Sequence, residues 1–292
     1  MIDLHCHSTY SDGSFTPAEL LTMAEKLGLS IFSVTDHNAV GAYRDLNDPA
    51  VRTLFSGKLI TGVELSAFMN GQLVDILGYG VDPEKIAPTA REAIERNNYQ
   101  RLLELFYREY PARGIRLPRP MREYTTEEFL NPRRFIFAQL VSEPENHAFF
   151  LDFEAHTDEP NTYYRHELYN EKSPLYLDCS HLYLTVEETI NAIHEAGGLA
   201  FLAHSFCYTD QVHGHLDEIT DRYPFDGLEC IYPKFTAEQT KSITALCEKK
   251  GLLMSGGSDF HGELRPGIAL GIGAGDFRVP DTLAPWAERY LF

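Results

Sequence analysis

The 292-residue chain begins with short apolar runs separated by segments of helical spacing. Residues 2–6, Ile-Asp-Leu-His-Cys, read as a first strand. Thr16-Pro17-Ala18-Glu19 then opens a helix: Thr16 can cap it, Pro17 suits its first turn, and Glu19 can return a bond to the cap. Gly28 should end that helix. Further apolar runs at 30–35, 59–63 and 72–79 read as strands, the last closed by Gly80 and Pro83. The same rhythm runs through the C-terminal part. Thr185-Val186-Glu187-Glu188 opens a helix that Gly197-Gly198 ends, and a strand over 199–203 follows. A strand at 227–231, a helix opened by Thr236-Ala237-Glu238-Gln239 and ended by Gly251, and a strand at 252–255 complete it. About seven strands alternating with helices predict an α/β fold, a parallel barrel with its chemistry at the strand C-termini.

Between these halves the rhythm changes. A long polar helix is expected over 89–110, then a stretch marked by Pro111, Pro118 and Pro120, a helix over 135–141 and an aromatic, acidic segment over 149–169. The expected organisation is a barrel built from residues 1–83 and 184–292, with 84–183 inserted as a mostly helical cap.

With 43% apolar and 12% aromatic residues the chain can bury a sizeable core, which excludes general disorder. No run approaches the ~20 apolar residues of a membrane span, and the first residues lack a secretory pattern. A cytoplasmic protein with no membrane partner is the expectation. Cys6, Cys179, Cys207, Cys230 and Cys247 include no Cys-x-x-Cys pair and read as reduced thiols. The 25 Lys+Arg against 43 Asp+Glu leave a formal charge of −18, and no basic run offsets it, so long nucleic acid is not an expected partner.

Chemistry enters at the strand ends. In His5-Cys6-His7-Ser8-Thr9-Tyr10-Ser11-Asp12-Gly13, residues two apart on a strand point the same way, so His5 and His7 can face one point. A pair of hydrogen-bonded core histidines would satisfy that spacing too. Recurrence favours a metal site: Thr35-Asp36-His37-Asn38, Gly62-Val63-Glu64, Ala203-His204-Ser205 and Gly256-Gly257-Ser258-Asp259-Phe260-His261-Gly262 each end a predicted strand. Packing alone does not explain titratable groups at five such ends.

In this order the motifs resemble those of the polymerase-and-histidinol-phosphatase (PHP) family of metal-dependent phosphoesterases, from the first residues to about Gly273. The insertion resembles the helical cap of the branch that includes nucleoside 3',5'-bisphosphate phosphatases. The resemblance implies a distorted (β/α)7 barrel holding two or three divalent ions, manganese, iron or zinc. One ion would be held by His5, His7, Glu64 and Asp259, a second by Glu64 and His204, a third by Asp12, His37 and His261. Where many relatives carry histidine, Val74-Asp75-Ile76-Leu77-Gly78 carries Asp75, which either ligates the second ion or supports a ligand histidine from behind.

The resemblance implies hydrolysis of a small phosphorylated metabolite, a nucleoside 3',5'-bisphosphate first, by hydroxide attack on phosphorus, with His204, Asp259 and His261 in catalytic roles. The four ligand carboxylates bring −4 and three divalent ions +6, a local cationic focus of +2 for a phosphate dianion. Arg133 and Arg134, with Arg165 or Lys234, are candidate phosphate-binding residues. A cyclic phosphodiester or sugar phosphate, a short oligonucleotide cut 5' to 3', a non-catalytic metal-binding scaffold and an amidohydrolase are the alternatives. Three further readings are structural. His213 and His215 lie on a loop outside the motifs, Cys6 should face the wall, and Tyr163, Tyr164, Tyr169 and Tyr176 should pack the cap or line a base or sugar cleft.

Overall fold

A computed structural model describes the protein except for residues 97–98, 124, 126–131, 159 and 274–276, with residue 161 described by its backbone alone. The helix Pro17–Leu27 forms with the predicted reciprocal cap. Thr16 Oγ1 accepts from the Glu19 N–H, Glu19 accepts from the Thr16 N–H at 2.8 Å, and Gly28 ends the helix at φ 65°. Leu20, Leu21 and Ala24 turn inward and share a buried cluster with Phe32 and Val34. Thr236 and Gln239 repeat the capping device on the helix Ala237–Lys250, which Gly251 ends at φ 68°.

β1 (Ile2–Asp3), β2 (Ile31–Phe32) and β3 (Lys58–Leu59) pair in parallel, Ile2 opposite Ile31 and Ile31 opposite Lys58. The single run expected over 59–63 is divided between β3 and β4 (Gly62–Met69). β4 leads through a two-residue turn to β5 (Gln72–Tyr79), and β6 (Leu184–Thr185) precedes the helix Val186–Glu195. β7 (Leu199–Leu202), β8 (Gly227–Ile231) and β9 (Leu253–Gly256) follow, and a second sheet runs β4-β5-β7-β8-β9.

The fold is thus mixed α/β, and the expected parallel order fails at β5. It runs antiparallel to β7, with Ile76 opposite Leu202 and Tyr79 opposite Leu199. The cause is local. Asn70 and Gly71 take φ of 49° and 81°, the twist of a tight hairpin turn, and reverse the chain directly after β4.

Main-chain bonds extend past the short strands and fix the motif-bearing ends. The Leu4 N–H donates to Gly256 O at 3.2 Å, the His7 N–H to Phe260 O at 2.9 Å and the Asp259 N–H to His5 O at 2.8 Å. The Thr35 N–H donates to Cys6 O at 2.8 Å, and Glu64 and Asn38 exchange bonds with Asp36 and Glu64 across the next gap.

Contacts divide the chain into two units. The first is Met1–Ala67, Val74–Ala93 and Val186–Phe292; the second is Phe68–Leu73 and Ile94–Thr185. The composition change had suggested breaks at 83/84 and 183/184. The helix Pro83–Arg96 instead keeps most of its length with the first unit, where Ile86, Ala90 and Ala93 are buried. The helix expected over 89–110 is described as Pro83–Arg96 and Tyr99–Ala112, with 97–98 outside the described residues. In the second unit Leu102, Phe106, Ile136, Leu140 and Tyr163 form a core, and the Tyr110 hydroxyl, 2.9 Å from that of Tyr163, donates to Leu175 O at 2.8 Å. Among the described residues no helix is long and apolar enough to cross a membrane.

Candidate metal centre

β1 leads into His5-Cys6-His7, and the alternation works as the sequence predicts. His5 and His7 are both buried, and Cys6 turns the other way into the cluster containing Leu20 and Val34. Glu64, near the start of β4, stands between the two imidazoles: His5 Nε2 is 3.4 Å from its Oε1 and His7 Nε2 3.3 Å from its Oε2. Asp259 Oδ1 approaches the same two nitrogens at 3.6 and 3.2 Å. On one side His37 Nδ1 lies 3.0 Å from Glu64 Oε2, and His261 Nε2 lies 3.2 Å from Asp12 Oδ1. On the other, His204 Nε2 lies 3.1 Å from Glu64 Oε1 and 3.9 Å from Asp75 Oδ2. All nine candidate ligands therefore meet in the first unit. Three sets of ligand atoms converge within 4.8 Å: His7, Asp12, His37 and His261; His5, His7 and Glu64; and His37, Glu64 and Asp75.

These groups fit a metal centre better than a hydrogen-bonded network. His5 Nε2, both nitrogens of His7, Glu64 Oε2 and His261 Nε2 are buried without a hydrogen-bond partner, although oppositely polar atoms stand close by. Ligands ~2.1 Å from a shared ion lie roughly 3.0 to 3.4 Å from each other, the spacing of most pairs here. The mixed imidazole and carboxylate donors suit manganese, iron or zinc rather than an all-oxygen calcium site. Three non-glycine residues at the strand ends, Asn38, His204 and Asp259, take φ of 48°, 28° and 53°. Such backbone is costly and collects at functional sites.

The charges show what the cluster seeks. Burial opposes protonation of His37, but Glu64, Asp75 and Asp12 outweigh it and lift its pKa to about 10. His5 is likewise raised against burial by Glu229, Glu64 and Asp259. His7, crowded by burial and by His37, is pushed down to about 3. Burial raises Asp75, and the Glu64 charge adds to it. Protons on some imidazoles stand where cationic charge is wanted.

Several groups that position the ligands were not singled out from sequence. Glu229, on β8, accepts from His5 Nδ1 at 2.9 Å and from the His204 N–H at 2.8 Å, supporting two ligands from behind. Asp3 accepts from the Ser258 N–H and hydroxyl at 2.9 and 2.6 Å and from the Gly271 N–H at 2.7 Å. Asp36 accepts from the Ser8 N–H at 2.7 Å and the Ser8 and Ser11 hydroxyls at 2.6 Å, shaping the loop that delivers Asp12. A Cβ on Gly13 would stand 2.2 Å from His7 O, so the loop closes only with glycine there. Asp75 accepts from Ser66 Oγ at 2.9 Å, and its N–H donates to the Tyr208 hydroxyl at 2.7 Å. A lone acid inside an otherwise uncharged, mostly apolar strand was the signal available for Glu229, in Gly227-Leu228-Glu229-Cys230-Ile231.

The candidate arginines lie in the second unit. Arg133 donates to the Tyr183 hydroxyl and its Nε is buried without a partner, whereas Arg134 and Arg165 are exposed. Tyr163 and Tyr169 belong to the second unit's core, so they pack rather than line a cleft. Lys234 is exposed, and His213 and His215 stand nearest Asp210 and Glu218 at 3.8 and 3.3 Å, outside the ligand cluster.

A mixed α/β framework presenting imidazoles and carboxylates from successive strand ends defines a metal-dependent hydrolase. The PHP domain profile matches residues 3–223, and the chain belongs to the PHP domain family of metal-dependent phosphoesterases. It is 28% identical to a phosphoribosyl 1,2-cyclic phosphate 1,2-diphosphodiesterase of Eggerthella lenta, over 95% of this chain and 98% of that one. It is 26% identical to a 3',5'-nucleoside bisphosphate phosphatase of Chromobacterium violaceum, over 89% and 87%. Among solved structures, an amidohydrolase from Chromobacterium violaceum superposes with a TM-score of 0.64 at 24% identity, covering 100% of this chain and 97% of that one, a likeness of fold.

Proposed function

We propose that the protein hydrolyses a small cyclic phosphodiester of a sugar, opening the ring by attack of hydroxide on phosphorus. The observation that carries this is Asp75, a carboxylate inside the ligand cluster beside Glu64 and His37. With Asp12, Glu64, Asp75 and Asp259 at −4, three divalent ions leave +2. Glu229 and Arg265, which touch His5 and Asp259, add −1 and +1 and cancel. A singly charged diester and one hydroxide together bring −2 and neutralise the site, whereas a phosphomonoester dianion and hydroxide bring −3. A histidine at 75 would favour the monoester; aspartate favours the diester. The relative from Eggerthella lenta, whose name specifies a cyclic phosphate, agrees with this choice.

The ions, held by His5, His7, Asp12, His37, Glu64, Asp75, His204, Asp259 and His261, would supply Lewis acidity and lower the pKa of the attacking water. The chain's own residues do the rest. Glu229 and Asp3 hold the His5 and Asp259 segments in place, and Glu64 joins the parts of the cluster. His204 and His261 stand at opposite edges of the cluster as ligands, and the proton for the leaving alkoxide comes from the attacking water. Atoms balance: water adds hydroxyl to phosphorus, the P–O ring bond breaks and the sugar oxygen takes the proton. The two sheets are taken together as a distorted barrel of the (β/α)7 kind, a reading supported by the bonds joining residues 4–7 to 256–260 and residue 36 to 64.

Phosphorus NMR of manganese-loaded protein with ribose 1,2-cyclic phosphate and adenosine 3',5'-bisphosphate tests the choice. Ring opening faster than phosphate release supports it. Release from the bisphosphate alone overturns it in favour of a nucleotide phosphatase, the reading suggested by the Chromobacterium violaceum relative.

A further inference from the structure

We propose that Arg265 is a phosphate-binding residue supplied by the unit that carries the ligand cluster. The inference rests on the phosphoesterase reading but not on which ester is cleaved. Arg265 follows His261 on a short loop bounded by Gly262 and Gly267, at φ 70° and 96°. Its Nη1 donates to Asp259 Oδ2 at 2.7 Å, and the Tyr232 hydroxyl donates to the same oxygen at 2.7 Å. The other oxygen, Oδ1, faces His5, His7 and His261 at 3.6, 3.2 and 3.4 Å. Asp259 is therefore divided, with one oxygen turned to the cluster and the other held outside it by two donors.

That doubled support is the informative feature. A single donor would suffice to orient the carboxylate, and Tyr232, buried at the end of β8, already provides one. Arg265 has five N–H groups and gives one to Asp259, while its side chain stays 40% exposed. The guanidinium can turn toward an anion in the cluster and leave Oδ2 bonded to Tyr232. Its planar fork matches two phosphoryl oxygens, which a lysine point charge does not. Among the described residues, no other lysine or arginine forms an ion pair with a member of the cluster. Lys58 pairs with Glu288, and Lys249 and Lys250 with Asp217. Among its described residues, a chain of charge −18 thus brings one ion-paired arginine to the edge of its ligand cluster.

The test is calorimetric titration of inorganic phosphate into manganese-loaded protein, wild type, Arg265→Met and Arg265→Lys, with metal per chain measured on the same samples. Loss of a charged hydrogen-bond donor should weaken phosphate binding roughly 10- to 100-fold in Arg265→Met. Arg265→Lys should recover only part of this, and metal content should stay at the wild-type value. With a turned-over ester, KM should rise by more than kcat falls. Unchanged phosphate affinity overturns the proposal, and so does metal loss in parallel with phosphate binding, which would make Arg265 a support for Asp259 alone. Wild-type protein that binds phosphate through Arg265 yet cleaves no ester would sink the functional reading and leave this one standing.

Discussion

Glu229→Gln tests whether the metal centre is organised from behind. The carboxylate accepts two hydrogen bonds from buried donors, His5 Nδ1 at 2.9 Å and the His204 N–H at 2.8 Å. Glutamine fills nearly the same volume, so packing is kept, but it has one acceptor oxygen, and its amide nitrogen must face one of the two donors. One charge-assisted bond is lost, worth about 1.5 to 3 kcal/mol, or roughly 10- to 150-fold in an equilibrium constant. Because both donors belong to ligands, the loss should fall on metal affinity, in line with the ~10- to 100-fold typical of such supports. Competition against a chelator measures it, with circular dichroism to show that the fold is kept. A correctly folded variant that binds manganese as tightly as wild type would refute the reasoning, since the two ligands would then be oriented without Glu229.

Three further outcomes are expected. In metal-free protein the His37 pKa is raised from 6.5 to about 10, so its stabilising contribution is full below 6.5 and is lost as pH rises toward 10; the His7 pKa is lowered to about 3, so the unfolded chain binds the extra proton below 6.5 and stability falls there. Thermal unfolding with chelator present should be hardest near pH 6.5, and a Tm climbing steadily to pH 10 would contradict the charge pattern. Asp75→His should raise bisphosphate hydrolysis relative to cyclic-ester hydrolysis when both are followed by phosphorus NMR; an unchanged ratio would remove the charge argument. Gly257→Ala would place a Cβ 2.4 Å from the His5 nitrogen and should destabilise by about 1 to 3 kcal/mol, read as a lowered Tm even with chelator present.

The ligands were legible because most of them follow a short strand in a fixed local spacing, and alternation alone decides that His5 and His7 agree while Cys6 departs. The capped helices were legible for a similar reason, since Thr16, Glu19 and Gly28 act within one turn. The direction of β5 was missed although Asn70-Gly71 announces a reversal, because the alternation of strands and helices elsewhere favoured parallel order. Glu229, Asp3 and Asp36 escaped notice for a different reason. Their partners, such as Ser258 for Asp3, are distant in sequence, and a lone acid in an apolar run looks the same whether it supports a ligand or not. The limits of the second unit depend on contacts of the Pro83–Arg96 helix and the hairpin tip, which composition does not encode.

The hairpin tip bears on any attempt to shorten the protein. Phe68 and Leu73 pack on the second unit's core, with Phe68 stacked at 6.0 Å on Tyr183 and edge-on at 6.5 Å to Tyr169. The second unit is therefore stitched from two separated stretches of chain, and excision of residues 94–185 alone would strand an aromatic and a leucine on an exposed β-turn, an invitation to aggregation. A minimal catalytic version needs a second edit, with polar residues at 68 and 73 beside an unchanged Asn70-Gly71.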